Sequence, residues 1–206
     1  MFSLIRPAFV LLALFSALTG LAYPLAITGL AQLALPWQAN GSLITRNGVV
    51  VGSALIGQNF ASAKYFHGRP SATQAPDPKD ASKTIDAPYN AANSTGSNLG
   101  PTSGKLIDRV KATVAAARSA GEKGAIPADA VTTSASGLDP EITPENAYAQ
   151  VDRVAATRGL PTDKVRDLVA ARIERPAFGL IGEPRVNVLE LNLALDASGG
   201  VNAAKK

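Results

Sequence analysis

Residues 7–35 read PAFVLLALFSALTGLAYPLAITGLAQLAL, and no charged residue occurs anywhere between Arg6 and Arg46. A transmembrane helix needs about 20 apolar residues to cross a hydrocarbon core of about 30 Å. The run has length to spare. Its reading is one spanning helix over 8–35, with a short N-terminal segment (1–7) on one side and a domain (36–206) on the other. A cleaved signal peptide is the competing reading, because Gly20-Leu21-Ala22 offers small residues where a signal peptidase cuts. Secretory h-regions, however, are about 7–15 residues long. Here the apolar run continues through Leu25, Ile27, Leu30, Leu33 and Leu35, so an uncleaved anchor is expected.

Orientation follows from the flanks. Arg6 and the terminal amine lie on the short side with no acid to offset them, and positive flanks stay cytoplasmic. The N-terminus is therefore expected in the cytoplasm and the 36–206 domain outside it. Trp37 suits the outer interface, where an indole keeps its N–H hydrated. The chain has no Cys, which fits an exported domain built without disulfides. Within the span, Ser16 and Gly20 are four apart, as are Ala13 and Ala17, and Ala22 and Ala26. Such pairs let a second helix approach closely. Pro24 extends the Ser16–Gly20 stripe and removes one backbone donor mid-span, which packed neighbours make easier to tolerate. Ser16, Gly20 and Pro24 are the expected helix-packing residues.

The remainder is long enough for one domain with a sizeable core. Almost all of the formal net charge of +4 lies in it, spread rather than clustered, so nucleic acid is not an expected partner. The pI near 9.5 reflects a small surplus on a chain that is only 17% charged. No tandem repeat is present, and the Lys-Lys tail after Ser198-Gly199-Gly200 is expected to fray. Leu43 to Val51 carries Asn47-Gly48, which suits a two-residue type I′ hairpin turn. Residues 61–101 are rich in Pro, Ser, Asn, Gly and Asp and read as long irregular loop. Residues 105–118 place Leu106, Val110, Val114 and Ala117 on one helical face.

A second helix is capped by Thr143, opens on Pro144 and stops at Gly159. Ala147, Val151, Val154 and Ala155 form its apolar side. A third, over 163–174, carries Val165, Leu168, Val169 and Ile173 and stops before Pro176. Residues 187–195 alternate, with Leu189, Leu191, Leu193 and Leu195 on one face and Val188, Glu190 and Asn192 on the other, which reads as a half-buried strand. The expected class is an α+β exported domain behind one N-terminal transmembrane helix.

Catalytic equipment is sparse. The single His is His67, so a Cys/His zinc site and a His-rich centre are excluded. Neither a Gly-x-Ser-x-Gly elbow nor Ser-x-x-Lys occurs. Gly96 to Lys105 resembles a phosphate loop only superficially. The pattern needs Gly five residues before the Gly104-Lys105 pair and a hydroxyl after it, and Leu99 and Leu106 stand there. The carboxylates Asp77, Asp80, Asp86, Asp139, Glu141 and Glu183 are scattered, and no spacing forces a catalytic pair. Residues alone leave three classes open: an accessory membrane subunit, an anchored exported hydrolase using carboxylates, or an envelope ligand-binding or scaffold domain.

Six segments are too particular for generic loop. They are Gly52-Ser53-Ala54-Leu55-Ile56-Gly57-Gln58-Asn59-Phe60; Tyr65-Phe66-His67-Gly68-Arg69-Pro70-Ser71-Ala72; Tyr89-Asn90 leading into Ser97-Asn98-Leu99-Gly100-Pro101; Ser134-Ala135-Ser136-Gly137-Leu138-Asp139-Pro140; Gln150-Val151-Asp152-Arg153-Val154-Ala155; and Gly182-Glu183-Pro184-Arg185-Val186-Asn187-Val188-Leu189. In this order, behind one span, they closely resemble the C subunit of the bacterial Kdp potassium-transporting ATPase, the KdpC family, from the anchor to about Asp196. Glu141 departs from the His that the family pattern leads one to expect after Asp139-Pro140.

The resemblance implies a non-catalytic accessory subunit of a P-type potassium-transporting ATPase complex in the bacterial inner membrane. Its implied partners are a channel-like potassium subunit, a P-type ATPase subunit and a very small stabilising subunit. It is implied to be needed for assembly and to act as a catalytic chaperone raising the ATP affinity of the pump subunit. ATP and K+ would act in the complex, with no cofactor or metal held by this chain. A domain outside the membrane cannot touch cytoplasmic ATP, so any such effect must travel through the helix and partner subunits.

The candidate partner-docking or loop-motif residues are Gln58, Tyr65, Phe66, Arg69, Ser97, Asn98, Ser134, Ser136, Asp139, Glu183, Arg185 and Asn187. Ser97, Asn98, Ser134, Ser136 and Asp139 suit side-chain bonds that fix irregular backbone, and Gly57, Gly96, Gly100 and Gly137 suit restricted backbone angles. Arg69 and Arg185 suit bidentate carboxylate pairs, with Glu183 the nearest candidate partner. Direct potassium or nucleotide contact by these loops is the alternative.

Overall fold

In the computed structural model, which describes residues 2–122 and 124–199, the chain forms two compact units that divide between Ser53 and Ala54. The first contains α1 (Ile5–Ala17), a π turn (Leu18–Ala22) and α2 (Tyr23–Ala34). Together they make one 30-residue helix, Ile5–Ala34, long and apolar enough to cross a membrane. At 1.5 Å per residue it is about 45 Å long. It begins at Ile5, so Arg6 and Pro7 lie in its first turn. Pro24 explains the π turn: it offers no N–H, and its ring crowds the carbonyl four residues back, that of Gly20. Widening the preceding turn makes room, and the Tyr23 N–H reaches Leu18 O, five residues back. The Thr19 hydroxyl donates to Phe15 O at 2.7 Å inside this wider turn.

The π turn also alters phase. In an unbroken α-helix Pro24 would sit roughly 80° around the axis from Ser16. A turn that accommodates an extra residue shifts that angle.

Leu35 leaves helical geometry at φ −138°, as a residue before proline tends to. After it come the short α3 (Pro36–Ala39), β1 (Leu43–Arg46) and β2 (Val49–Ser53). Asn47 and Gly48 both take positive φ, 52° and 78°, and Arg46 pairs with Val49 across them: the expected hairpin. Trp37 Nε1 donates to Leu43 O at 3.0 Å, tying helix end to hairpin.

The second unit is α+β. Its elements are β3 (Gln74–Asp77), β4 (Asp80–Asp86), α4 (Gly104–Ser119), α5 (Ala128–Val131), β5 (Glu141–Ile142), α6 (Pro144–Ala149), α7 (Val151–Arg158), α8 (Thr162–Ala170), β6 (Ile173–Glu174), β7 (Arg185–Asn187) and α9 (Val188–Gly199). An antiparallel sheet of order β5-β7-β6 packs on the helices. Phe66, Ile142, Val151, Val154, Val165, Val169, Val186, Leu191 and Leu195 close the core.

Four expectations are corrected. Residues 187–195 are not a strand: β7 ends at Asn187 and α9 follows. Asn187 Oδ1 accepts Glu190 N–H at 3.1 Å, a local cap that starts the helix. The buried set Val188, Leu189, Leu191, Asn192, Leu195 has helical spacing, so the apparent alternation hid a face that includes Asn192. Residues 61–101 are not all loop, since β3 and β4 pair within them. Pro76 is tolerated there because a two-stranded ribbon has only edge strands. The helix capped by Thr143 is interrupted at Gln150, whose N–H bonds Ala147 O three residues back, so α6 and α7 are separate. The third helix stops at Ala170, and Ile173 pairs instead with Val186. The Lys-Lys tail lies outside the described residues.

Candidate functional site

The Tyr65–Ala72 segment is irregular yet tied down on every side. Phe66 is fully buried, and its backbone is read by one side chain. Asn192 Oδ1 accepts the Phe66 N–H and Asn192 Nδ2 donates to Phe66 O, both at 2.9 Å. The next residue is held in the same way from the other side. Gln150 Oε1 accepts the His67 N–H at 2.7 Å and Gln150 Nε2 donates to His67 O at 3.1 Å. Arg153 completes the clamp, donating to Ala63 O, Tyr65 O and Gln150 Oε1. Two amides and a guanidinium thus replace the strand ladder that this stretch lacks. Neither Gln150 nor Asn192 was among the expected site residues. The available signal was a polar residue on an otherwise apolar helical face.

Tyr65 turns outward. Its hydroxyl donates to Asp196 Oδ2 at 3.3 Å, and the Arg158 guanidinium lies over its ring at 4.8 Å. Arg158 also pairs with Asp196 at 2.7 Å. Burial and the Arg153 charge hold His67 below its ordinary 6.5, outweighing the Ser62 carbonyl that favours its charged form.

Around Arg69 the loops converge. Arg69 Nη1 meets Asp139 Oδ2 at 3.1 Å, and the other Asp139 oxygen accepts Glu141 N–H at 3.1 Å. The Tyr89 hydroxyl donates to Arg69 O at 2.7 Å, and its ring fills the space where side chains at Gly57 and Gly68 would stand. Burial, reinforced by the Asp139 charge, pushes the Tyr89 phenol up to about 12. Gly137 holds φ +68° against Thr73 and Thr95, and Ser71 Oγ donates to its carbonyl at 2.8 Å.

The remaining expected residues are distributed through the same architecture. Ser97 Oγ accepts from Thr133 at 3.2 Å. Asn98 is an exposed turn residue at φ 50°. Ser134 is buried, its N–H on Pro70 O. Ser136 Oγ accepts Leu138 N–H at 3.1 Å, Asn187 Nδ2 donates to Ala54 O at 2.9 Å, and the Gln58 carbonyl accepts Phe60 N–H. Arg185 does not take Glu183. It bridges Glu141 at 2.9 Å and Glu174 at 3.1 Å across the sheet edge, because both belong to the neighbouring strands β5 and β6. Glu183 stays exposed. Glu141, which had no expected role, is thereby a structural partner. Burial raises its carboxyl, with Arg185 opposing and Glu174 and Asp139 adding to the shift.

A cleft of about 240 Å³ between these loops is lined by Arg69, Asp139, Glu141, Glu183 and Arg185. Its Asp139 and Glu141 are engaged by arginines, which suits shape-keeping more than proton transfer. Among the described residues no group of three His, Asp or Glu side chains is placed to hold a metal ion.

A family model described as the c chain of the K+-transporting ATPase, KdpC, matches residues 5–197. The potassium-transporting ATPase KdpC subunit of Rhodopseudomonas palustris (strain CGA009) is 62% identical over 194 residues, covering 94% of this chain and 96% of that protein. That of Bradyrhizobium diazoefficiens is 62% identical over 192 residues, covering 93% and 96%. That of Methylobacterium nodulans is 61% identical over 196 residues, covering 95% and 98%.

Proposed function

The chain belongs to the KdpC family, the c chains of potassium-transporting ATPases, and from that membership we propose a non-catalytic, assembly-supporting subunit of the high-affinity ATP-driven potassium uptake complex. Membership implies a complex with other subunits. In this reading they are the channel-like potassium subunit, the P-type ATPase subunit and the small stabilising subunit. Helix Ile5–Ala34 crosses the bacterial inner membrane once, its N-terminus cytoplasmic and residues 36–206 periplasmic. ATP and K+ bind elsewhere in the complex. The effect of this subunit is to raise the ATP affinity of the pump subunit, transmitted through the anchor and partner chains.

The observation that carries the reading is the match over residues 5–197, which takes in anchor and domain together. The loop architecture supports it: motif residues are spent on fixing backbone and leave ordered surfaces, as docking requires. The rival hydrolase has little to work with, because Asp139 and Glu141 are committed to Arg69 and Arg185. Mild detergent extraction should bring down a P-type ATPase chain with this one. Protease added to intact spheroplasts should digest the domain after Trp37, and digestion only after lysis would reverse the topology. Steady phosphate release from ATP by the isolated chain would remove the non-catalytic reading.

A further inference from the structure

Among the described residues of the second unit, the large apolar side chains left exposed are Leu55, Ile85, Ile107, Phe178, Leu180 and Ile181. Three of them share one tight turn between β6 and β7. Phe178 is 94% exposed, Leu180 87% and Ile181 69%. The turn is rigid. Ala177 and Ile181 exchange backbone bonds at 2.9 and 3.0 Å, Gly179 N–H bonds Pro176 O, and Leu180 N–H bonds Ala177 O. Its base is the sheet itself, where Glu174 pairs with Arg185. Phe178 is also held at φ +55°, an outlier for a bulky residue. Among the described residues nothing offsets that conformation, since the ring is 94% exposed. Backbone strain of this kind, maintained to display a side chain, points to function.

Three occupants are conceivable, and flanking charge and available area separate them. A lipid surface would reward basic flanks, but here Arg172 is paired with Glu190, Arg185 is paired with Glu141 and Glu174, and Glu183 offsets Arg175. A second copy of this chain would need about 800 Å² from each partner, whereas three side chains of this kind offer roughly 400 Å². A protein partner that also holds the chain elsewhere needs only such an anchor point. Arg175 is exposed and has no ion-pair partner among the described residues.

We propose that the Pro176–Gly182 turn is a docking knuckle, inserting Phe178 with Leu180 and Ile181 into an apolar recess on another subunit of the potassium-transporting complex, beside a carboxylate that meets Arg175. This rests on the accessory-subunit reading. Phe178→Gly tests it without harming the fold, because glycine accepts positive φ. In cells making all subunits, the variant chain should melt at or above the parent's temperature, while the pump subunits recovered with it fall at least tenfold. A photo-crosslinking phenylalanine analogue at position 178, in the assembled complex, should form an adduct with a subunit of that complex. Adducts with a second copy or with lipid overturn the proposal, as does full recovery of partners by Phe178→Gly. If the parent chain itself recovers no pump subunit, the accessory reading falls first and the knuckle with it.

Discussion

Replacing Asn192 with Leu tests whether the side-chain amides hold the loop architecture. The side chains are similar in shape, and position 192 is 1% exposed, so the change is polar rather than steric. It removes both bonds to Phe66, each 2.9 Å long, and leaves a buried N–H and a buried C=O without partners. Each orphaned group costs about 1–3 kcal/mol, while the larger apolar side chain returns about 1–2 kcal/mol. The net loss is about 3 kcal/mol, a large share of a typical total of about 5–15 kcal/mol. For a domain of this size that lowers the melting temperature by about 6–12 °C. The assay is circular dichroism of the full chain in detergent. Fluorescence would not follow this transition, because the single Trp, Trp37, belongs to the other unit. A loss below 1 kcal/mol would refute the reasoning: water or a shifted backbone would then be satisfying Phe66, and the amide would be incidental.

Gly57→Ala should destabilise by about 1–3 kcal/mol, because its Cβ would collide with the Tyr89 ring and lie 2.6 Å from Asp139 O; Tyr89→Leu in the same background should recover part of the loss in a urea titration. Because the folded state holds His67 below its ordinary 6.5, the unfolded chain binds the proton first, and stability should decline as pH falls below about 6.5; melting curves of His67→Gln should lack that component. Tyr89 works at the other end, since the folded state keeps the phenol neutral from 10.0 up to about 12, so stability should decline as pH rises through that window. Gly20→Leu has open space around its Cβ within the chain, so it should insert normally yet co-purify poorly with the pump subunits, because lipid already solvates Leu and offers no gain against lost packing. Ile27→Leu should be milder; normal growth of Gly20→Leu at limiting potassium would reduce the helix to a tether.

The parts of the fold that were legible have local causes. Asn47-Gly48 encodes its own turn through positive φ, Thr143-Pro144 caps its own helix, and the charge-free run of 7–35 requires no partner to be read. What escaped depended on contacts distant in sequence. The Leu-x-Leu-x-Leu spacing over 189–195 fits both a strand face and, with Asn192 counted as buried, a helix face; only the loop carbonyl and amide at Phe66, far back in the chain, explain why an Asn belongs inside. The same applies to Gln150, which sits 83 residues from the His67 backbone it holds. Arg69 was identified as an ion-pairing residue, but its choice of Asp139, and the preference of Arg185 for Glu141 and Glu174 over the adjacent Glu183, follow from strand order, which residue spacing does not encode.

That dependence on distance bears on how a subunit with so little catalytic equipment contributes to a pump. A loop segment held only by its own turns would pay its ordering entropy on docking, at about 0.5–1.5 kcal/mol for each side chain immobilised. Here residues 63–69 are fixed beforehand by groups from α7, from α9 and from Asp139, so the exposed parts of that segment meet a partner already ordered. The arrangement also links the loop to the helical core: displacing Phe66 or His67 must break a bond to α9 or release Gln150, which sits at the junction of α6 and α7. The β6–β7 turn is joined to the same body through Arg185 and its bridge to β5. Strain imposed at either surface therefore has a connected set of bonds, buried at Phe66 and half-exposed at Arg185, through which to reach the other, which is the property a docking subunit needs if its binding is to alter a partner's affinity rather than merely occupy its surface.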